Sequence, residues 1–115
     1  MLRDRLFLLS PGFEDPAYPG QRFYCWHCAL IEGVLASFPE LAARIDVQRI
    51  PWPRPRREVA TLIGEENQSL PVLILARNAP DDITARRYGE ERFIDDKDAI
   101  LGVLSRRHGI PVAHP

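Results

Sequence analysis

The only two cysteines of this chain stand in the run Cys25-Trp26-His27-Cys28, where an extended pattern gives way to a helical one. From Leu30 to Phe38, apolar side chains recur at three- and four-residue steps, which predicts a helix with one apolar face. Two thiols at this spacing at a helix N-terminus can close a small disulfide and open it again. They can also be ordinary small core residues, so the rest of the sequence has to decide.

Composition favours one globular domain over residues 1–115, because 45% of the 115 residues are hydrophobic. The formal net charge is −1, with both signs mixed along the chain, so we expect neither nucleic acid nor an anionic membrane as a partner. The apolar run at residues 1–10 is too short for a signal peptide, and no run approaches the roughly 20 apolar residues of a spanning helix. We expect a cytoplasmic protein, in which a CxxC motif indicates a redox or metal-binding pair.

The predicted order of elements is β-α-β-α-β-β-α, an α/β domain with a four-stranded mixed sheet flanked by helices. Strands joined by a helical crossover should be parallel, and the last two strands can pair as an antiparallel hairpin. Asp95 or Asp96 can cap the last helix, and Gly109 ends it. The predicted strands are Arg5–Leu9, 45–50, 70–75 and 92–94, and the predicted helices are 25–38, where Pro39 ends or restarts the helix, 56–63 and 98–108.

Two long connections interrupt this order. Residues 10–24 are rich in proline and glycine and also carry Phe13, Tyr18, Phe23 and Tyr24, so the segment either packs as a lid or is a solvated insertion. Residues 76–91 are polar, and we predict a long connection there.

The element order, the CxxC motif at the first helix and the proline that opens the third strand together resemble the thioredoxin-like superfamily. The segments Ser69-Leu70-Pro71-Val72-Leu73 and Phe93-Ile94-Asp95-Asp96 are most similar to glutaredoxins and to the N-terminal domain of glutathione transferases. The resemblance covers residues 6–109. The chain also resembles a small family of bacterial thioredoxin-like proteins with no assigned activity.

This resemblance implies thiol–disulfide exchange with a thiol or disulfide substrate, with glutathione or a protein as the candidates, and no tightly bound cofactor. It also implies that Pro71 is cis and faces the cysteines, and that the backbone of Leu70 pairs with the substrate as an added strand would. From the residues alone, Pro71 would be a trans proline at a strand edge. The helical domain of glutathione transferases has no counterpart in the sequence, so transferase activity is not expected.

The chemistry of such a site divides between the two cysteines. A thiolate attacks a disulfide, and the unpaired N–H groups of a helix N-terminus stabilise an anion, so Cys25 is the predicted nucleophile. Cys28 lies one turn further along and is the predicted resolving residue, which attacks the mixed disulfide and releases the reduced substrate. His27 either favours the thiolate when protonated or faces solvent without effect.

Several polar residues are candidates for holding the substrate. Gln68, Ser69 and Asp96 could supply polar contacts to a glutathione-like peptide. Arg54, Arg56 and Arg57 could hold a carboxylate through paired N–H donors, or could belong to a solvated basic turn.

Two other functions compete with a redox enzyme. The first is a non-catalytic binding module, in which the aromatic loop blocks approach to Cys25. For either function, Tyr24 and Trp26 are predicted to contact the substrate, and Trp26 and Trp52 either line a substrate groove or pack on the core. The second is a metal site shared across a dimer, because one CxxC supplies only two of the four ligands that a structural zinc requires. We expect no metal in a single chain, and the sequence leaves the oligomeric state open.

Overall fold

Five strands and four helices follow one another along residues 3–115, the part of the chain that the computed structural model describes. Met1 and Leu2, which begin the apolar N-terminal run, lie outside the described residues. The elements are β1 (Arg5–Leu9), α1 (Trp26–Ser37), α2 (Pro39–Arg44), β2 (Asp46–Ile50), α3 (Arg57–Ile63), β3 (Val72–Ile74), β4 (Arg86–Tyr88), β5 (Glu91–Ile94) and α4 (Lys97–His108).

The strands form one mixed sheet in the order β2-β1-β3-β5-β4. β1 and β2 are parallel, with Leu8 opposite Arg49, as predicted for strands joined by a helical crossover. β3 is antiparallel both to β1 and to β5, where Ile74 lies opposite Phe93. It therefore runs opposite to β2, so the expectation of parallel strands across a helix is wrong for β2 and β3, which α3 joins. The predicted α/β class and the antiparallel pairing of the third strand with residues 92–94 are therefore confirmed.

The predicted number of strands is wrong, because a fifth strand, β4, lies inside the segment 76–91 that was expected to be a connection. β4 is at the edge of the sheet and pairs only with β5, with Arg87 opposite Arg92. All three of its residues are exposed, so no alternation of apolar and polar side chains announces a strand. Gly89, at φ +56°, and Glu90 form the tight turn that leads into β5.

Alternate side chains of β1 place the two cores on opposite faces of the sheet. Leu6 and Leu8 join the larger core, to which α1, α2 and α4 contribute, while Phe7 joins the smaller core beneath α3. Cys28 belongs to the larger core, so the cysteine motif lies on the side of the sheet that three helices cover.

The helix boundaries follow local chemistry. Pro39 restarts the chain as the short helix α2, one of the two predicted outcomes. Asp96 is the N-cap of α4, and its carboxylate accepts the Ala99 N–H at 2.9 Å from Oδ2 to N. Gly109 closes α4 in the left-handed conformation, at φ +77°.

Asp4 fastens the end of α4 to the start of β1. Its buried carboxylate accepts bonds from the Ala76 N–H, at 2.7 Å between N and Oδ1, and from Arg107, at 2.8 Å between Nε and Oδ2. His108 Nε2 lies 2.8 Å from the same Oδ2. Among residues 3–115, no helix has the length and apolar character needed to cross a membrane.

Candidate functional site

Cys25 is the N-cap of α1, with an extended backbone at φ −79° and ψ 115°. Its Sγ accepts the backbone N–H of Cys28, at 3.2 Å between N and Sγ. Serine, threonine and aspartate side chains ordinarily fill this position, so the sulfur stands in for an oxygen cap. The geometry places the half-buried thiol of Cys25 where unpaired helix N–H groups favour a negative charge.

Cys28 lies one turn further into the fold and is only 2% exposed. Its Sγ accepts the Leu9 N–H from the end of β1, at 3.4 Å between N and Sγ. Burial is the main cause that raises the pKa of the Cys28 thiol, to about 12, and the hydrogen bond with Cys25 acts in the same direction. Both residues are free thiols, and the two differ sharply in access to solvent.

The surface around Cys25 is aromatic. Tyr24 and Trp26 are 65% and 64% exposed. The His27 ring meets the Trp26 ring edge-on, with 4.0 Å between centroids, and is half-buried there. Lys97 Nζ lies 5.4 Å from the centroid of the Trp26 ring, so the first turn of α4 adjoins the cysteine motif.

A cavity of about 390 Å³ opens beside both cysteines. Its walls are mostly apolar, and the charged group among them is Glu32, which Arg49 binds through two N–H donors at 2.6 and 2.7 Å. Glu32 stands four residues after Cys28 on α1, so helical spacing alone could have indicated that the two share a face. The lining residues are Leu9, Pro11, Tyr24, Cys25, Cys28, Ala29 and Glu32.

The segment 10–24 doubles back on itself before it reaches Cys25. Phe13 and Phe23 exchange backbone hydrogen bonds of 2.7 and 3.1 Å between N and O. The Phe13 ring stacks on Trp52, with 5.6 Å between centroids and 7° between planes. The base of the segment is therefore packed on the connection between β2 and α3. Tyr18, at the tip of the segment, and Tyr24, its last residue, remain exposed.

Arg56 and Gln68, two of the predicted substrate contacts, are buried and bound to each other. Arg56 is 7% exposed, so it does not belong to a solvated basic turn. Its Nε and Nη2 both donate to the Trp52 carbonyl, at 2.9 and 2.7 Å to that oxygen, and its Nη1 donates to the Gln68 carbonyl at 2.7 Å. The Gln68 side chain binds the Arg56 N–H and the Glu65 carbonyl, so its polar atoms are engaged within the protein.

The remaining predicted site residues differ in their exposure and in their contacts. The Leu70–Pro71 peptide bond is cis, as the resemblance implied, and Leu70 packs with Cys25 and Trp52 against the larger core. Ser69 is exposed, and so is Arg54, which precedes Pro55. Among residues 3–115, no hydrogen bond joins either side chain to the cysteines. Asp96 is exposed at the N-cap of α4 and precedes Lys97, the residue that contacts Trp26.

A different cavity, of about 480 Å³, lies between α1, α4 and the chain after Gly109, and neither cysteine lines it. Within residues 3–115, no group of three or more His, Cys, Asp or Glu side chains is arranged to hold a metal ion.

Comparison with known proteins gives a family and no activity. A family model described as "Protein of unknown function (DUF3088)" matches residues 3–112. No curated protein and no solved structure matches the chain.

Proposed function

This chain belongs to the DUF3088 family, and we propose that it is a thiol–disulfide oxidoreductase in which Cys25 and Cys28 are the redox pair. The observation that carries the proposal is the asymmetry of the two thiols. Cys25 is half-buried at a cavity and caps a helix, whereas Cys28 is 2% exposed and its pKa is raised to about 12. A nucleophile requires access and a stabilised anion, and a resolving thiol requires protection from outside reagents.

The proposed reaction conserves atoms and electrons. The Cys25 thiolate attacks one sulfur of a substrate disulfide, the S–S bond breaks, and the first thiolate leaves and takes a proton. Cys28 then loses its proton and attacks Cys25 Sγ, which expels the second thiolate. The substrate gains two electrons and two protons, and the protein is left with a Cys25–Cys28 disulfide. Two molecules of a thiol such as glutathione reduce this bond in turn and leave as their own disulfide.

The hydrogen bond from the Cys28 N–H to Cys25 Sγ supports this order of events. It favours negative charge on the outer sulfur, while burial of the inner sulfur favours its protonated form. Cys28 therefore stays a thiol until a mixed disulfide forms beside it.

We propose glutathione, or a protein disulfide, as the substrate class, in keeping with the resemblance to glutaredoxins. Ser69, Arg54 and Asp96 are exposed polar groups at the ends of the elements that border the site, and the Leu70 backbone precedes the cis bond to Pro71. Glutathione carries two carboxylates and an amine, which such groups can bind. The reducing cytoplasm is the compartment that suits this exchange.

The test is mass spectrometry of the reduced protein after its reaction with glutathione disulfide. We expect the wild type to lose two hydrogens, the Cys28→Ser variant to stop with one glutathione on Cys25, and the Cys25→Ser variant to form neither product. A Cys25→Ser protein that reacts at the wild-type rate, or a wild type with no reversible two-electron transition in a glutathione redox series, would refute the proposal.

A non-catalytic binding module is the second candidate, and the exposure of Tyr24 and Trp26 favours it. Large exposed aromatic side chains beside a cavity suit the capture of a peptide. Alkylation of the native protein separates the two functions, because a binding module does not require a reactive Cys25.

A further inference from the structure

The cavity beside the cysteines lies between α1 and the two ends of the segment that precedes it. α1 contributes Cys28, Ala29 and Glu32, and the segment contributes Pro11 and Tyr24. Its volume of about 390 Å³ falls within the range of roughly 300–1,000 Å³ in which proteins hold small ligands. Because both cysteines line the cavity, a group that enters it lies beside the residues proposed to react.

The walls that this segment supplies are fixed by backbone hydrogen bonds. The Gly12 N–H donates to the Phe23 carbonyl at 2.8 Å between N and O, and this pair adjoins Pro11 on one side and Tyr24 on the other. At the end of β1, the Leu9 N–H donates to the sulfur of the inner cysteine at 3.4 Å. The cavity is therefore formed before a substrate arrives, which lowers the entropic cost of filling it.

The lining distinguishes ligands by polarity and by charge. The side chains of Leu9, Pro11 and Ala29 are apolar, so an apolar group gains free energy when it leaves water to contact them. Glu32 is the charged residue of the lining, and each of its oxygens accepts one N–H of Arg49, at 2.6 and 2.7 Å. Each oxygen can accept a further donor. A carboxylate in the cavity would instead bring acceptors alone and a second negative charge.

We propose that this cavity binds the residue beside the disulfide-bonded cysteine of the substrate, and that it favours an apolar side chain over an anionic one. This inference rests on the proposed function and decides between the two substrates named there. Glutathione has no apolar side chain beside its cysteine, and its two carboxylates bring negative charge towards Glu32. A protein disulfide with an apolar neighbour fills the cavity and is therefore the preferred substrate. Leu70 does not line the cavity, so this contact is separate from backbone pairing at Leu70.

Two alanines of α1 form a matched pair for a test by mutation. Ala29 and Ala36 are both exposed on this helix, about two turns apart. Ala29 lines the cavity, and Ala36 is not among its lining residues. The Ala29→Leu variant therefore fills the cavity, whereas the Ala36→Leu variant adds the same side chain to the same helix away from it.

The experiment measures how fast Cys25 forms a mixed disulfide, by mass spectrometry in a Cys28→Ser background so that one thiol reports. The probes are the symmetric disulfides of the tripeptides N-acetyl-X-cysteinyl-X amide, in which X is leucine, asparagine or aspartate. The Cys25 thiolate attacks one sulfur of the probe, the S–S bond breaks, and one peptide thiolate leaves and takes a proton. Each rate is divided by the rate of free N-acetylcysteine amide with the same probe, which removes the intrinsic reactivity of the probe.

We expect the leucine probe to react about tenfold faster than the asparagine probe, because the cavity removes part of an apolar side chain from water. Asparagine should exceed aspartate by about threefold, since Glu32 is partly exposed and its charge is partly screened. Ala29→Leu should reduce the preference for leucine over asparagine to about twofold, because the cavity is then filled, and Ala36→Leu should preserve it. Glu32→Gln should remove only the difference between asparagine and aspartate.

Equal relative rates for the three probes, or a leucine preference that Ala29→Leu and Ala36→Leu change equally, would overturn the subsite and leave disulfide exchange intact. Failure of the proposed function is different, because Cys25 would then react neither with the probes nor with glutathione disulfide. If Ala29→Leu does not fold, a competitor decides. The leucine tripeptide with serine in place of cysteine should slow alkylation of Cys25, and its aspartate counterpart should not. A leucine competitor without effect contradicts the proposal.

Discussion

Asp4 and His108 are separated by almost the whole chain, yet the Asp4 Oδ2 and His108 Nε2 atoms lie 2.8 Å apart. Arg107 binds both oxygens of the same carboxylate, at 2.8 and 3.0 Å from its Nε and Nη2. The contact seals the C-terminal end of α4 against the first strand. The fold that presents the cysteines thus depends on a buried ion pair far from them in sequence.

Asp4→Asn should lower the free energy of unfolding by about 3 kcal/mol, because it leaves the partly buried Arg107 cation without its buried charge partner. Asp82→Asn is the matched control. Asp82 pairs with Arg106, which lies in the same turn of α4 as Arg107, but Asp82 itself is exposed. Its loss should cost less than about 1 kcal/mol. Guanidinium chloride unfolding at pH 7 measures both, and equal costs would show that the burial of Asp4 does not matter.

The same carboxylate predicts loss of stability in acid. Burial alone would raise the pKa of Asp4, but hydrogen bonds from Arg107, Ala76 and His108 more than reverse it, and the pKa lies below its usual value. A lowered pKa contributes stability that is present above the unfolded value and is lost as pH falls through the folded one. The wild type should therefore lose more stability than Asp4→Asn below about pH 4. Unfolding curves between pH 2 and pH 7, read as the difference between the two proteins, test this.

The raised pKa of Cys28 predicts that folding stability falls as pH rises above about 9. Its pKa is raised to about 12 from an ordinary value of 9.0, so the folded state holds the proton more tightly than the unfolded state. The stability that this contributes is complete below about pH 9 and is lost as pH rises towards 12. Between pH 8 and pH 11, the reduced wild type should lose about 3 kcal/mol more than Cys28→Ala. If the free energies of unfolding of the two proteins changed equally with pH, Cys28 would ionise as easily in the folded state as in the unfolded state.

The backbone at Gly64 predicts a loss of stability on substitution, and Gly102 supplies the control. Gly64 ends α3 at φ +95°, and a Cβ there would lie 2.7 Å from Tyr88 Cε2. Gly64→Ala should destabilise the protein by about 2 kcal/mol, because the conformation is strained and the ring is in the way. Gly102, inside α4, has nothing within 4 Å of such a Cβ. Gly102→Ala should therefore stabilise by about 0.5–1 kcal/mol, and thermal melts that rank the two variants the other way would contradict this account.

Local patterns predicted the parts of the fold that local chemistry decides. The start of α1 at the cysteines, the cap at Asp96 and the stop at Gly109 all follow from short-range rules. The strand β4 escaped prediction because Arg86 and Arg87 are exposed on both faces, and the pairing that orders them comes from a neighbouring strand.

The site was predicted less completely for the same physical reason. Arg56 was expected to serve as a ligand for a carboxylate or to lie in a solvated turn. It is buried because a carbonyl twelve residues later, at Gln68, faces it, and no periodicity in the sequence reports that distance. Lys97 lies over Trp26 for a similar reason, since the contact exists only once α4 has docked.

The order of the strands also bears on how the protein behaves in a crowded cell. The outer strands are β2 and β4, and both carry charge, with Arg49 on one and Arg86 and Arg87 on the other. The apolar strands β1 and β3 lie between neighbours and offer no free backbone. A sheet arranged in this way discourages edge-to-edge pairing between copies, because charged side chains at the edges would have to leave water before a further strand could pair. The exposed aromatic side chains near Cys25 can therefore stay uncovered with little risk that the sheet edges recruit them into aggregates.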